Sequence, residues 1–333
     1  MAVPLSAVNR KALSPGTRLL PWLSRYGTIL ALFLLILFNF AFTPNFATWQ
    51  TLNINLTQVS TIVIVAIGMT LVIGSGGIDL SVGSLMAIAG ALAPLIFLNR
   101  IVNLPNIYVG VALAFTIPVL LAGLFGYFNG WLITRFGVQP IVGTLILFIA
   151  GRGIAQSFTD SNQVIFTTPE FQFIGLGRVL GIPIQVLIMA AIVALAAWTI
   201  RRTIFGKHIL AIGGNEAAAR LSGVRVARIK RQVYAISGIC SGIAGLIVIA
   251  RNSAADSNLV GLGVELDAIA AVAVGGTLLT GGRAYVFGTL LGALIIQLVR
   301  FTLLANGVPD AAALVVKAGL IVLAVWLQRR VTS

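Results

Sequence analysis

Apolar residues run along this chain in long unbroken blocks, with little of the alternation or i, i+3, i+4 striping that marks an element with one wet face. A block that is apolar all round must be buried in protein or in lipid. Ten blocks stand at about 27–43, 56–74, 79–98, 107–130, 140–157, 184–200, 232–250, 266–280, 284–304 and 311–327. Most approach the ~20 residues that a helix needs to cross hydrocarbon. The pattern predicts an all-α polytopic transmembrane helical bundle of about ten spans over residues 27–328, preceded by a basic segment, 1–26. Gly74-Ser75-Gly76-Gly77 cannot continue a regular helix, and Pro118 and Pro140 kink or start one. Broken backbone at membrane depth is tolerated only where protein or a wet cavity surrounds it. The blocks at 79–98 and 266–280 are therefore candidates for partly re-entrant segments, which would leave eight or nine spans.

Composition sharpens this picture. Charged residues make up 9% of the chain, against about 25% in soluble domains, so lipid must cover most of the surface. The net charge of +14 would suit nucleic acid, but the basic residues cluster between the apolar blocks. That is the pattern of cytoplasmic loops in a membrane protein. With the N-terminus inside, Arg10, Lys11, Arg18, Arg25, Arg135, Arg329 and Arg330 all fall inside, and both termini are cytoplasmic. Thr43-Pro44-Asn45-Phe46 after the first block offers no signal-peptidase site, so that block is expected to be retained. Cys240 is the only cysteine and His208 the only histidine, which leaves no intrachain disulfide and no cysteine metal cluster. No metal site is expected.

Two connections stand out. The outer loop at about 158–183 carries Asp160, Glu170 and Arg178. The inner loop at about 201–231 carries eight basic residues and one acid, Glu216. Within it, Asn215 is a good N-cap, Glu216 and Arg220 form an i, i+4 pair, Ala217-Ala218-Ala219 favour helix, and Gly223 suits a stop. A helix this short needs a surface to rest on. Two readings stay open: a coupling helix seated in a cytoplasmic partner, or a loop held at the membrane interface by basic residues and anionic lipid.

Two further segments concentrate polar chemistry. In Gly76-Gly77-Ile78-Asp79-Leu80-Ser81-Val82-Gly83-Ser84, Asp79 or Ser81 caps the next helix, or Asp79 lines a solute path. Glu265 and Asp267 suit the N-terminus of a helix that ends at Gly275-Gly276-Thr277. Three Gly-x3-Gly pairs, Gly126/Gly130, Gly238/Gly242 and Gly288/Gly292, read as close helix contacts. The chain lacks a Gly-x4-Gly-Lys-Ser/Thr phosphate loop, a nucleophile elbow and a His-Glu-x2-His motif, which argues against an enzyme and against ATP hydrolysis by this chain.

Taken together, Gly68-Met69-Thr70-Leu71-Val72-Ile73, Gly76 to Gly83, Gly151-Arg152-Gly153, Ala217 to Gly223, Glu265 to Val272, Gly275-Gly276-Thr277 and Gly281-Gly282-Arg283 resemble the permease subunits of ribose-type ABC importers. That family carries pentoses, hexoses and related small sugars. The likeness runs from about residue 55 to 325. Branched-chain amino-acid permeases are relatives, but the Gly-Gly-Ile-Asp-Leu-Ser form looks like the sugar branch, and the stretch from Asp256 to Asp267 looks like galactofuranose permeases. Gly74-Ser75 departs from the bulkier residues common there.

The resemblance implies a second permease copy or a sister permease, cytoplasmic ABC ATPase subunits that hold the ATP and magnesium, and a periplasmic or lipid-anchored sugar-binding protein. No cofactor is implied on this chain, which would sit in the bacterial inner membrane. It implies a coupling role for Asn215, Glu216, Ala217, Ala218, Arg220, Leu221, Ser222 and Gly223. Candidates for the translocation path are Asn53, Asn55, Gln58, Asp79, Ser81, Ser84 and Asn129, with Gln139 weaker; Glu170, Arg178 and Arg251 are candidates for meeting the binding protein. The rival readings are an ATP-independent sugar carrier, a branched-chain amino-acid permease and a membrane scaffold without transport.

Overall fold

A computed structural model describes residues 15–309, 311–316, 318–319 and 322. The start of the N-terminal segment with Arg10 and Lys11, much of the block at 311–327 with Lys317, and Arg329 and Arg330 lie outside the described residues.

The elements in chain order are α1 (Pro15–Phe42), α2 (Trp49–Gly74), α3 (Val82–Phe97), α4 (Ile107–Phe136), α5 (Pro140–Phe158), β1 (Val164–Ile165), α6 (Pro169–Leu176), β2 (Arg178–Val179), β3 (Ile182–Pro183), α7 (Ile184–Arg202), α8 (Ile204–Gly214), α9 (Glu216–Leu221), α10 (Val226–Asn252), β4 (Ala254–Ala255), α11 (Val264–Val274) and α12 (Val286–Ala305). Among the described residues six helices are long and apolar enough to cross a membrane: α2, α4, α5, α7, α10 and α12. Gly27–Phe42 of α1, and α3 and α8, are shorter apolar helices.

Among the described residues, which exclude much of the tenth block, fewer than ten helices reach spanning length. The block at 79–98 shrinks to the 16-residue α3 because the glycine break consumes its start, and 266–280 becomes the 11-residue α11, which ends at Val274 and is capped by Gly275. At 1.5 Å per residue α11 covers only about 17 Å. Other helices outrun their apolar blocks. Helix α10 starts at Val226 rather than 232, so Arg228, Lys230 and Arg231 lie on its first turns, where long stems cover apolar surface while the charged heads reach water. Helix α2 starts at Trp49 because Thr48 caps it, its Oγ1 accepting from Thr51 N at 3.2 Å.

Two pillars carry the bundle. The most apolar windows of α2 and α10 are 78% and 72% buried, against 28–33% for α4, α5 and α7. The latter three therefore keep a lipid face along their length, α2 and α10 are mostly enclosed, and α3 is wholly buried. Small residues allow the close contacts. A Cβ on Gly126 would overlap the Tyr234 carbonyl oxygen, and one on Gly238 would overlap that of Ala122, so α4 and α10 touch backbone to backbone. Gly288 and Gly292 do the same for α12 against Gly275 and Ala271 of α11. All three Gly-x3-Gly pairs are packing contacts, as expected where lipid gives no hydrophobic drive between helices.

The loop at 158–183 is folded onto the bundle end. Strand β1 pairs antiparallel with β4, β2 pairs with β3, and α6 rests on α10 with Gly175 against the Arg251 backbone. Phe171 of α6 is fully buried, stacked on Phe115 at 4.9 Å and tilted against Phe97 at 4.8 Å. After β4 the chain turns back toward the middle of the bundle, where Gly261 meets Gly83. Arg152 of α5 holds this return, its Nη1 donating to Ser257 O at 2.9 Å and Val260 O at 2.6 Å.

Candidate coupling end and buried polar core

Helix α9 forms as its sequence dictates. Asn215 Oδ1 accepts from Ala218 N at 3.0 Å, and Gly223 ends the helix with φ +83°, its N–H donating to Arg220 O. Ala219 is buried beneath it, while Leu221 and Ser222 are exposed. Glu216 pairs with Arg220 at 3.0 Å and, unforeseen from sequence, with Lys230 of α10 at 2.6 Å. Burial alone would raise the Glu216 carboxyl, but the hydrogen bonds and charges of Lys230 and then Arg220 outweigh it and hold it below its usual range. The short helix is therefore bolted to one of the two pillars.

Its preceding residues join a second contact. Gly213 lies where an added Cβ would overlap Gly74 O and Gly282 N. Gly282 N donates to Gly74 O at 3.1 Å. Gly281 and Gly282, with φ of +93° and +78°, use conformations that a side chain resists, and Gly281 also meets Gly76. The end of α8, the break after α2 and the turn between α11 and α12 thus meet as bare backbone next to α9.

From that break the chain enters a closed polar core. Asp79 is 0% exposed. Its Oδ1 accepts from Ser81 N at 3.0 Å and Ser81 Oγ at 2.6 Å, and its Oδ2 accepts from Ser237 Oγ of α10 at 2.8 Å. Asn129 Nδ2 of α4 donates to Ser81 Oγ at 2.9 Å. Neither Asp79 nor Ser81 caps α3 in the expected way: the Ser81 side chain makes no cap bond, and Asp79 grips Ser81 itself. Thr144 Oγ1 accepts from Leu80 N at 3.1 Å, and Ser84 Oγ donates to Phe148 O, so α5 is tied in too. Four path candidates, Asp79, Ser81, Ser84 and Asn129, are thereby brought together, all without exposure in this conformation.

The other candidates lie apart. Asn53 and Asn55 donate back to Trp49 O and Thr51 O of their own helix. Gln58 accepts from Gln297 Nε2 of α12 at 2.6 Å. Gln139 is exposed just before α5. Glu170 and Arg178 are exposed on the folded loop, whereas the Arg251 guanidinium turns inward to Thr57 O at 3.3 Å. Lys230, Ser237, Thr144 and Gln297 were missed as site residues. The available signal was a polar residue within, or at the edge of, an apolar block, but nothing local names its partner.

The chain matches the family described as "Branched-chain amino acid transport system / permease component" over residues 51–325. It is 40% identical to the ribose import permease protein RbsC of Escherichia coli K12, covering 93% of this chain and 95% of that protein. It is 38% identical to the galactofuranose transporter permease protein YtfT of the same organism, over 89% and 87%. With the fructose import permease protein FruF of Bifidobacterium longum the figures are 39% identity, 73% and 67%. No solved structure matches the chain. Matches of this identity, reaching from end to end of the bundle, make the chain a member of this permease family, in its ribose-type ABC importer branch.

Proposed function

We propose that this chain is the membrane-spanning permease subunit of an ATP-driven importer that moves a monosaccharide of the ribose, xylose, galactose or galactofuranose class across the bacterial inner membrane. Near full-length similarity to permeases named for ribose and galactofuranose import carries the reading. The chain is a transport subunit and not an enzyme; ATP and magnesium belong to a separate cytoplasmic ATPase. A second permease copy or sister chain completes the pathway, and an external sugar-binding protein delivers the solute. Our topology has ten passes, counting α3 and α11 as partial ones, with both termini cytoplasmic.

In this scheme Asn215 to Gly223 receive the ATPase. Force on α9 passes through the Glu216–Lys230 pair to α10 and through the glycine contact to α2 and the α11–α12 turn. Both routes lead to Asp79, since Ser237 on α10 holds one of its oxygens and the break after α2 carries it. Such a linkage moves packed helices as rigid bodies, which is what alternating access requires. Of the path candidates, Asp79, Ser81 and Asn129 hold one another in the closed state with Ser84 next to them, while Asn53, Asn55 and Gln58 lie apart on α2; all would turn to solute when the halves part. Glu170 and Arg178 offer exposed charges to the binding protein, with Arg251 behind them.

Co-reconstitution tests the scheme. Liposomes holding the permease, the ATPase and the binding protein should accumulate sugar only with ATP. A crosslinker at Ala218 or Ser222 should capture the ATPase. Uptake by the permease alone, without ATP, would instead establish a carrier.

A further inference from the structure

We infer that a built site for an anionic phospholipid lies between α4 and the start of α10, at the membrane surface bearing α9. A cavity of about 590 Å³ opens there, lined by Arg220, Arg225, Arg228 and Arg231 and by Tyr127 of α4. Arg220 is engaged by Glu216, and Arg231 Nε donates to Thr134 Oγ1 at 2.9 Å, which fixes the cavity walls. Arg225 and Arg228 are exposed, and among the described residues no carboxylate lies within ion-pair distance of either. Arg225 and Arg228 thus leave two guanidinium charges at the rim of the cavity with no acid against them, and like charges so placed favour an anion between them. Planar guanidinium forks suit phosphate oxygens.

The height and the neighbouring surface choose a lipid as the anion's source. Tyr127 lies 20 residues along α4 from Ile107, a rise of about 30 Å, which equals the hydrocarbon thickness. With Ile107, the first residue of α4, taken as the far hydrocarbon boundary, the arginines come at headgroup level, where a tyrosine ring is also at home. From Tyr127 an exposed apolar row runs back up α4 through Leu124, Leu120 and Ile117. The spacing of these residues keeps them on one helix face. A phosphate in the cavity would lay its acyl chains along that row, and basic pockets between transmembrane helices are known to hold acidic headgroups. The occupant is thus a phospholipid of the leaflet facing α9, with one or two phosphates and little positive charge of its own. This site goes beyond the transport reading and does not depend on it.

The test uses the purified full chain in detergent with fluorescent phosphatidylglycerol or cardiolipin against phosphatidylcholine. The acidic lipids should bind at least tenfold more tightly. The double variant Arg225→Gln/Arg228→Gln should lose about 30-fold of that affinity, at about the worth of one surface arginine per step. Arg225→Lys/Arg228→Lys keeps the charge without the planar fork and should fall between wild type and the glutamine pair. Arg135→Gln/Arg202→Gln removes the same charge elsewhere and should change binding less than about threefold. Circular dichroism and monodispersity establish that each variant is folded. Equal losses in both glutamine pairs would overturn the site in favour of diffuse surface potential. Equal binding of acidic and neutral lipids would also overturn it. So would unchanged lipid binding in the Arg225/Arg228 variant combined with loss of the ATPase in lipid-free detergent, since the arginines would then serve that protein.

Discussion

At the scale of single residues, Asp79 and Glu216 use their carboxylates in opposite surroundings. Asp79 accepts three hydrogen bonds in a dry interior, one of them from a backbone N–H that cannot swing to another acceptor. A buried donor left unmade costs about 1–3 kcal/mol. Asp79→Ala should therefore destabilise the chain by about 2–4 kcal/mol, read as a lower unfolding temperature in detergent. Asp79→Asn keeps an oxygen for Ser81 and should cost less than about 1 kcal/mol. Equal stability of the two variants would remove Asp79 as the tie between α3 and α10. Glu216 is wetter, and its carboxyl is held low because its two cations outweigh its burial. A group whose folded pKa is depressed stabilises above its unfolded value, here 4.5, and loses that contribution as pH falls through the folded one. The anchor of α9 is thus constant through neutral pH and loosens only in acid. Glu216→Gln should speed amide exchange across residues 216–223 at pH 7 and leave global unfolding within about 1 kcal/mol, because the pair is partly exposed. Exchange unchanged from wild type would show that Lys230 does not hold this helix.

At the scale of elements, the contact of α8, the break after α2 and the α11–α12 turn makes a sharp comparison possible. Gly213 and Gly214 are adjacent, yet a methyl on Gly213 would overlap backbone of two other segments, and one on Gly214 meets nothing within 4 Å. Overpacking costs about 1–3 kcal/mol, so Gly213→Ala should displace α8 and α9 and lower sugar uptake per ATP by about tenfold in proteoliposomes, whereas Gly214→Ala should stay within about twofold. Similar uptake in both would remove this contact from the coupling route. The same segment marks how far sequence reading reaches. Asn215, Glu216, Arg220 and Gly223 announced α9 because caps and i, i+4 pairs are local. The Glu216–Lys230 bolt was invisible because its partner is 14 residues away, past a turn. The glycine break at 74–77 was legible as a break, but its meeting with Gly213 and Gly282 joins parts of the chain that no local rule connects. Apolar blocks likewise marked α4, α5 and α7 well, since a lipid-facing helix must be apolar for its whole crossing. For α3 and α11 the apolar blocks left spanning and re-entrant readings open, because a helix surrounded by protein is as apolar as one that crosses lipid.

At the scale of the whole molecule, the proposed orientation rests on the distribution of charge. The end that carries α8 and α9 also gathers Arg135, Arg201, Arg202, Lys207, Arg220, Arg225 and Arg228. The opposite end carries the folded loop with Asp160, Glu170 and Arg178. An excess of cations on one side of a membrane favours that side as the inward one, which is the orientation proposed. A single cysteine makes this directly measurable. Cys240 is buried in the apolar core of α10 beside Gly68, so Cys240→Ala gives a small apolar background without a reactive thiol. Leu180 is 97% exposed on the folded loop and Leu221 is 90% exposed on α9, so a cysteine at either position meets solvent without disturbing the packing. In that background, Leu180→Cys should react with a membrane-impermeant maleimide added to spheroplasts, and Leu221→Cys should react only in inverted vesicles. Labelling of Leu221→Cys from outside would invert the bundle and put α9 beyond the reach of any cytoplasmic ATPase. Labelling of both positions from one side would mean that the number of crossings between them is even, which would require α7, the one long apolar helix between 180 and 221, to turn back within the membrane.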